Sequence, residues 1–347
     1  MEQRLIKIGR IESYSKELEQ LANNKKTFIL CDSNTKQCVN YFKSKIPFFS
    51  NSLVIVIEPG EKNKTLESAN NIWKELINKK ANRNDLLINI GGGLITDIGG
   101  FVAATYKRGI QFINIPTSLL GMIDASIGGK TGVNFNGFKN QIGLFNNPEI
   151  ILCDPYFLKS LPKEELLSGL AEVLKHGLIY NKKYWDYCTS LELDKLDILK
   201  IINESISIKT KIVCIDPQEK KERKLLNFGH TIGHAIESML IQKQKQTLHG
   251  FAIATGIIIE SYISFELNHL KEEDFIEIKK TINKTFPKIT FLNTEIPALL
   301  ELMKTDKKNN SDEINFTLID KIGHGIVNQN VNTNQLKLIL VKYLEIS

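Results

Sequence analysis

Four short apolar runs, interleaved with helical periodicities, most constrain what this chain can fold into. Thr27-Phe-Ile-Leu-Cys31, Leu53-Val-Ile-Val-Ile57, Leu86-Leu-Ile-Asn-Ile90 and Phe112-Ile-Asn-Ile115 have the length and β-branched content of buried strands. Between them, Thr65 to Lys80 and Leu94 to Lys107 carry apolar residues at helical spacing. Strand, helix, strand, helix implies crossover units and a parallel sheet. The expected class is α/β: a Rossmann-like parallel-sheet domain followed by a mostly α-helical C-terminal domain.

The pattern changes after about residue 160. Long amphipathic segments take over at 163–180, 192–214, 229–241, 250–268 and 271–284. Pro148 and Pro155 mark the crossover, and Pro162 precedes the first long helix, where proline is well placed. The expected domains are residues 1–160 and 161–347, which suits a length of 347 residues. Near the end, Ile314-Asn-Phe-Thr-Leu318 reads as a short strand and residues 332–344 as a helix.

No apolar run reaches the length of a membrane span, and the N-terminal residues lack a signal-peptide layout. A soluble, cytoplasmic protein is expected. The five cysteines are scattered without a CxxC pair, which argues against a disulfide framework or a cysteine zinc site. The net charge of +6 is spread along the chain with no long basic run. That excludes a clustered nucleic-acid footprint and fits an anionic small molecule.

Three of the six histidines fall in one window, Asn227-Phe-Gly-His230-Thr-Ile-Gly-His234 with His249. On a helix, His230 and His234 share a face. Spacing alone makes both of them candidate metal ligands. Glu172, in Ala171-Glu-Val-Leu-Lys-His176, could complete a His/His/Glu site with an open position. Arg223 and Lys224 lie just upstream, and Asp306-Lys-Lys308 lies downstream.

Two glycine-rich turns add to this. Asn89-Ile-Gly-Gly-Gly93-Leu-Ile-Thr-Asp97 follows an expected strand and opens an expected helix. A helix N-terminus with glycines lets backbone approach a diphosphate, although glycine also meets purely steric needs. Gly99-Gly100 inside that helix points to close packing. The second turn, Asp124-Ala-Ser-Ile-Gly-Gly-Lys130-Thr-Gly-Val-Asn134 with Gly137-Phe-Lys139-Asn140, reads as a lysine-bearing loop. Asp124 stands where a P-loop needs its first glycine, so a P-loop is excluded.

Taken in order, these motifs resemble the 3-dehydroquinate synthase family over roughly residues 30 to 325. Further ones are Pro59-Gly-Glu61-xx-Lys64, Arg108-Gly-Ile, Pro116-Thr-Ser118, Leu170-Ala-Glu172-Val-Leu-Lys175-His-Gly and Leu248-His249-Gly. The resemblance implies an NAD- and metal-dependent cyclase of the shikimate pathway, in the route to aromatic amino acids. It implies a metal, zinc or cobalt, held by Glu172, His230 and His249, with His234 beside it for proton transfer. Implied substrate contacts are Asp124, Lys130, Lys139, Asn140, Lys175, Lys209, Arg223, Asn227 and one of Lys307 and Lys308. Implied NAD contacts are Asp32, Glu61, Lys64, Gly92, Gly93, Asp97, Thr117 and Ser118, with Lys130 and Lys139 counted in this set too. The N-terminal domain would then bind NAD, and the C-terminal one metal and substrate.

The implied reaction converts 3-deoxy-D-arabino-heptulosonate 7-phosphate to 3-dehydroquinate and phosphate. Transient oxidation by NAD, phosphate elimination, re-reduction and aldol closure make it a carbon–oxygen lyase without net use of NAD. The substrate is a small sugar phosphate, neither nucleic acid nor membrane is a partner, and a homodimer is implied. Rival readings are a 2-deoxy-scyllo-inosose synthase type of cyclase, a polyol dehydrogenase, or a non-catalytic NAD-binding regulator. Two departures stand out: Phe251 replaces the glutamate usual after His-Gly, and residues 242–247 form a longer connection than the family's.

Overall fold

The computed structural model describes residues 5–136, 138–190, 192, 195–245, 247–306 and 312–346. The Lys307 and Lys308 candidates lie outside the described residues. The chain divides into two compact units, Met1–Pro162 and Lys163–Ser347.

The first unit is built on β1 (Ile6–Ile8), β2 (Thr27–Asp32), β3 (Leu53–Ile57), β4 (Leu86–Gly91), β5 (Gln111–Pro116) and β8 (Ile150–Cys153). All their pairings are parallel, in the order β1-β8-β5-β4-β2-β3. Central β4 is buried along its whole length, whereas edge strand β3 is only partly buried, with Val56 facing water. The helices are α1 (Ser15–Ala22), α2 (Lys36–Lys45), α3 (Leu66–Asn78) and α4 (Gly93–Thr105). Thr65 caps α3 by accepting the Ser68 N–H. Phe28, Leu30, Ile72, Leu76, Leu87 and Ile98 lie in one core beneath α3 and α4. Each such side chain contributes about 1.5–3 kcal/mol by leaving water.

The connectivity has a consequence for binding. From β2 the chain moves outward to β3, then returns to the other side of β2 for β4 and β5. The order therefore reverses between β2 and β4. The carboxyl ends of strands flanking such a switch are where open α/β sheets bind ligands.

The stretch from Asp124 to Asn140, expected to be a loop, is ordered differently. A turn of π-helix, Gly121–Ala125, leads into an antiparallel hairpin of β6 (Lys130–Phe135) and β7 (Phe138–Phe145). Its glycines and polar residues hide the strand period. Gly132 faces Gly143 where any Cβ would strike the opposite backbone. Val133 joins the core, and Thr131 fills the space above Gly100 of α4.

The second unit is mostly helical: α5 (Lys163–Tyr180), α6 (Lys182–Ser190), α7 (Ile198–Ile215), α8 (His230–Gln242), α9 (His249–Glu266), α10 (Glu272–Thr285), α11 (Ile296–Asp306) and α12 (Thr333–Ile346). An antiparallel pair, β9 (Glu313–Lys321) and β10 (His324–Asn332), accompanies them. The expected helix at 192–214 begins only at Ile198, because the Asp197 carboxylate caps it by accepting from the N–H groups of Leu199 and Lys200. Cys31, Cys38, Cys153 and Cys188 are buried thiols, and burial pushes Cys31 and Cys38 up to about 11. Among the described residues no helix is long and apolar enough to cross a membrane.

Candidate active site

In the second unit one packing contact fixes two candidate ligands. Ser168 and Glu172 lie a turn apart on α5. The Gly250 N–H donates to Ser168 Oγ at 3.0 Å, and any Cβ on Gly250 would overlap the Ser168 carbonyl. Only glycine allows α9 to start this close to α5. His249, the first residue of α9, is thereby brought to Glu172, with His249 Nε2 3.7 Å from Glu172 Oε1. His230, the first residue of α8, places its Nε2 3.5 Å from the same oxygen.

These distances exceed a good hydrogen bond. They approach the roughly 3.3 Å edge of a tetrahedron whose metal–ligand bonds are about 2.0–2.1 Å. The three ligand atoms all lie within 4.8 Å of one another. Glu172 is fully buried; its Oε2 pairs with Lys175, and its Oε1 faces the two imidazoles without a hydrogen bond. A buried carboxylate left this way, facing two imidazoles, is a donor set that fits a divalent cation.

The far side of each imidazole is also set. His230 Nδ1 lies 3.1 Å from the Phe228 carbonyl, and His249 Nδ1 lies 3.4 Å from Glu237 Oε2. Nδ1–H donation to those acceptors leaves each Nε2 lone pair turned toward Glu172. Burial, reinforced by the Lys175 charge, pushes His230 well below its ordinary value. Burial alone would raise Glu172, but Lys175, His230 and His249 hold it well below the usual carboxylate range. Both shifts favour the ligating protonation states, a carboxylate and a neutral imidazole.

Lys175, almost fully buried, pairs with Glu172 and donates to the Leu226 carbonyl at 2.7 Å. That carbonyl belongs to the turn Glu222–Asn227, which carries Arg223 and Asn227. The turn is organised by Asp216, whose carboxylate accepts from the N–H groups of Lys220, Lys221 and Arg223 at 3.0, 2.6 and 3.2 Å. Arg223 donates to the Pro217 carbonyl, and Asn227 to Glu219. His234 stacks edge-on against His230, with ring centroids 5.1 Å apart. One of its ring nitrogens lies within reach of ligand atoms of Glu237 and His249, a second triad. Lys209 is buried on α7.

In the first unit Asp32, Gly92, Gly93, Thr117 and Ser118 lie at the carboxyl ends of the neighbouring strands β2, β4 and β5. Gly92 is the N-cap of α4, and a Cβ there would press on Ser118 Oγ at 3.3 Å. The Thr117 N–H donates to the Gly91 carbonyl at 2.9 Å, tying the two strand ends together. Asp32 shapes its own turn, Oδ1 accepting from the N–H groups of Asn34 and Thr35 at 2.9 and 3.0 Å. A glycine helix start at a switch point is a cradle that fits a dinucleotide diphosphate.

Beside it, the hairpin brings two residue sets together. Lys64 pairs with Asp97 and donates to Asn140 Oδ1 at 2.5 Å. Glu61 lies 3.8 Å from Lys139 Nζ and accepts from Asn134 Nδ2 at 3.0 Å. The Asn140 N–H donates to Asn134 Oδ1 at 2.9 Å. Lys130 is exposed at the start of β6, and Asp124 is half-buried on the π turn.

Asn134, Asp216 and Glu237 were not singled out from sequence as site residues. Glu237 had a signal: it is seven residues after His230, on the same face of α8. Asp216 had none, since its partners are backbone groups.

The comparisons with known proteins agree with one another. The model of the 3-dehydroquinate synthase N-terminal family matches residues 54–168, and that of the C-terminal family matches residues 169–309. A 3-dehydroquinate synthase from Parabacteroides distasonis is 42% identical over 323 residues, 92% of each chain. The chain belongs to the 3-dehydroquinate synthase family. Its fold is that of related cyclases. A 2-epi-5-epi-valiolone synthase from Streptomyces hygroscopicus subsp. jinggangensis 5008, with NAD+ and Zn2+ bound, superposes with TM-score 0.86 at 21% identity, over 99% of this chain and 97% of that one. A 2-deoxy-scyllo-inosose synthase complexed with carbaglucose-6-phosphate, NAD+ and Co2+ gives TM-score 0.82 at 24% identity, over 97% and 96%. Phe251, which follows His249-Gly250, packs edge-on against Phe286.

Proposed function

We propose that this protein converts 3-deoxy-D-arabino-heptulosonate 7-phosphate to 3-dehydroquinate and phosphate, as an NAD- and metal-dependent lyase. The observation that carries the reading is the convergence of Glu172, His230 and His249 on one point, within a chain of this family. When bound, NAD supplies a hydride acceptor whose hydride is returned in the same turnover, and zinc or cobalt supplies a Lewis acid.

The chain's own residues do the rest. Glu172, His230 and His249 would hold the cation. Lys175 balances the Glu172 charge and presents an ammonium beside it. His234, next to but outside the ligand set, moves a proton between substrate and solvent. Lys130, Lys139 and Arg223 clamp the substrate carboxylate and phosphate, with Arg223 suited to a bidentate grip. Asp124, Asn140, Lys209 and Asn227 orient hydroxyl groups. Asp32, Glu61, Lys64, Gly92, Gly93, Asp97, Thr117 and Ser118 form the NAD site of the N-terminal domain. A homodimer belongs to the same proposal.

The test is phosphate release from the heptulosonate phosphate with catalytic NAD, with and without a chelator. Chelator-sensitive release with no net NADH supports the reading. No release, with NADH accumulating from glycerol, would sink it in favour of a polyol dehydrogenase.

A further inference from the structure

Helix α8 begins without a cap of its own. Its N-cap is Gly229, at φ +80, where no side chain is available to satisfy the first-turn N–H groups. A side chain there would in any case press on Ile257 of α9, with a Cβ 2.7 Å from Ile257 Cγ1. The missing acceptor comes from another helix. Glu260, fully buried on α9, accepts from the Gly229 N–H at 2.6 Å and the Ile232 N–H at 2.9 Å. These are the N-cap and N3 donors, the same two that a capping box satisfies from within a helix.

The approach is purpose-built. Gly256 lies one turn before Glu260 on α9, and any Cβ there would overlap the Gly229 carbonyl. Gly256 lets the start of α8 reach α9, and Glu260 then receives it. A carboxylate at this end of a helix also meets the favourable end of its dipole.

We propose that Glu260 is a positioning residue for the metal site. The proposal rests on the reading of Glu172, His230 and His249 as the cation's ligands. His230 is the first residue of α8, so whatever fixes that turn aims its imidazole. His249 is the first residue of α9, the helix that carries Glu260. One rigid helix therefore bears one ligand and the clamp that holds the other. The spacing between His230 and His249 is set by Glu260, with no contact between Glu260 and the cation.

The test uses chelator-stripped full-length protein titrated with Co2+ and followed by visible absorption. The wild type is expected to bind Co2+. Glu260→Gln, which replaces one acceptor oxygen by a donor, should remain folded by circular dichroism. It should bind Co2+ about ten-fold more weakly with a shifted absorption band. The Gly229 and Ile232 amides should exchange faster with solvent. Glu260→Asp, which keeps both oxygens but draws them back, should fall between the two and serves if the Gln variant does not fold. Tyr184→Phe, which loses a buried hydrogen bond on α6 of the same unit, should lower stability and leave the Co2+ band and affinity unchanged. A folded Glu260 variant with wild-type Co2+ affinity and spectrum would overturn the proposal, even if those amides exchange faster. A wild type that binds no Co2+ would instead sink the metal reading itself, and this proposal with it.

Discussion

Lys64 donates to Asn140 of the β6–β7 hairpin, with Nζ 2.5 Å from Oδ1, while pairing with Asp97 on α4. One buried ammonium thus ties a residue of the proposed NAD set to one of the proposed substrate set. Lys64→Met would leave Asp97 in a confined neighbourhood without its counter-charge. The expected cost is about 3 kcal/mol in denaturant unfolding, with weaker NAD binding by fluorescence titration. A variant of wild-type stability would show that the pair carries no structural weight.

Lys130, exposed on β6, is proposed to act on substrate anions and not to hold the fold. Lys130→Met should retain its melting temperature while turnover is lost. Normal phosphate release from that variant would remove Lys130 from the site.

Lys175 and Glu172 form an ion pair that is almost completely buried. Removing Lys175 leaves a buried carboxylate with no permanent partner, at a cost of about 3–5 kcal/mol. A bound cation would restore the charge balance. Lys175→Met should therefore gain more in melting temperature on adding zinc than the wild type does. Equal gains would show that the cation and Lys175 do not share the Glu172 charge.

Metal binding discriminates between the two triads that share His249. At a free zinc concentration a thousand-fold above Kd, a native-state site stabilises by about 4 kcal/mol. His230→Ala should abolish that gain. His234→Ala should keep it and lose turnover. Loss of the zinc gain in His234→Ala would transfer the ligand role to the triad of His234, Glu237 and His249.

Acid should unravel the turn that carries Arg223. Desolvation works against the Asp216 carboxylate, but N–H donors from Lys221, Lys220 and Arg223 outweigh it and hold Asp216 below its ordinary value. A depressed carboxyl stabilises the fold above its unfolded pKa, and this is lost as pH falls through the folded one. The stability gap between wild type and Asp216→Asn should be full at neutral pH and close as pH drops below about 4. A gap that ignores pH would exclude the carboxylate charge as its source.

Much of this was legible in the chain. The runs at Leu53–Ile57 and Leu86–Ile90 became strands because short, mostly apolar, β-branched segments have few alternatives. The histidine motif placed His230 on a helix because local spacing and backbone periodicity are sequence properties. The hairpin at Lys130–Phe145 was not legible. Its strands are glycine-rich and polar, and their pairing draws on contacts with Gly100 and the core.

The sequence by itself nominated the candidate site residues and determined the helices that carry Glu172 and His230, since both depend on near neighbours along the chain. Tertiary structure alone decided which of those residues meet. Gly250 against Ser168 brings His249 to Glu172, and Glu260 holds the first turn of α8 from α9. Both contacts join positions far apart in sequence, and close packing of glycine against backbone leaves no periodic trace from which a partner could be read.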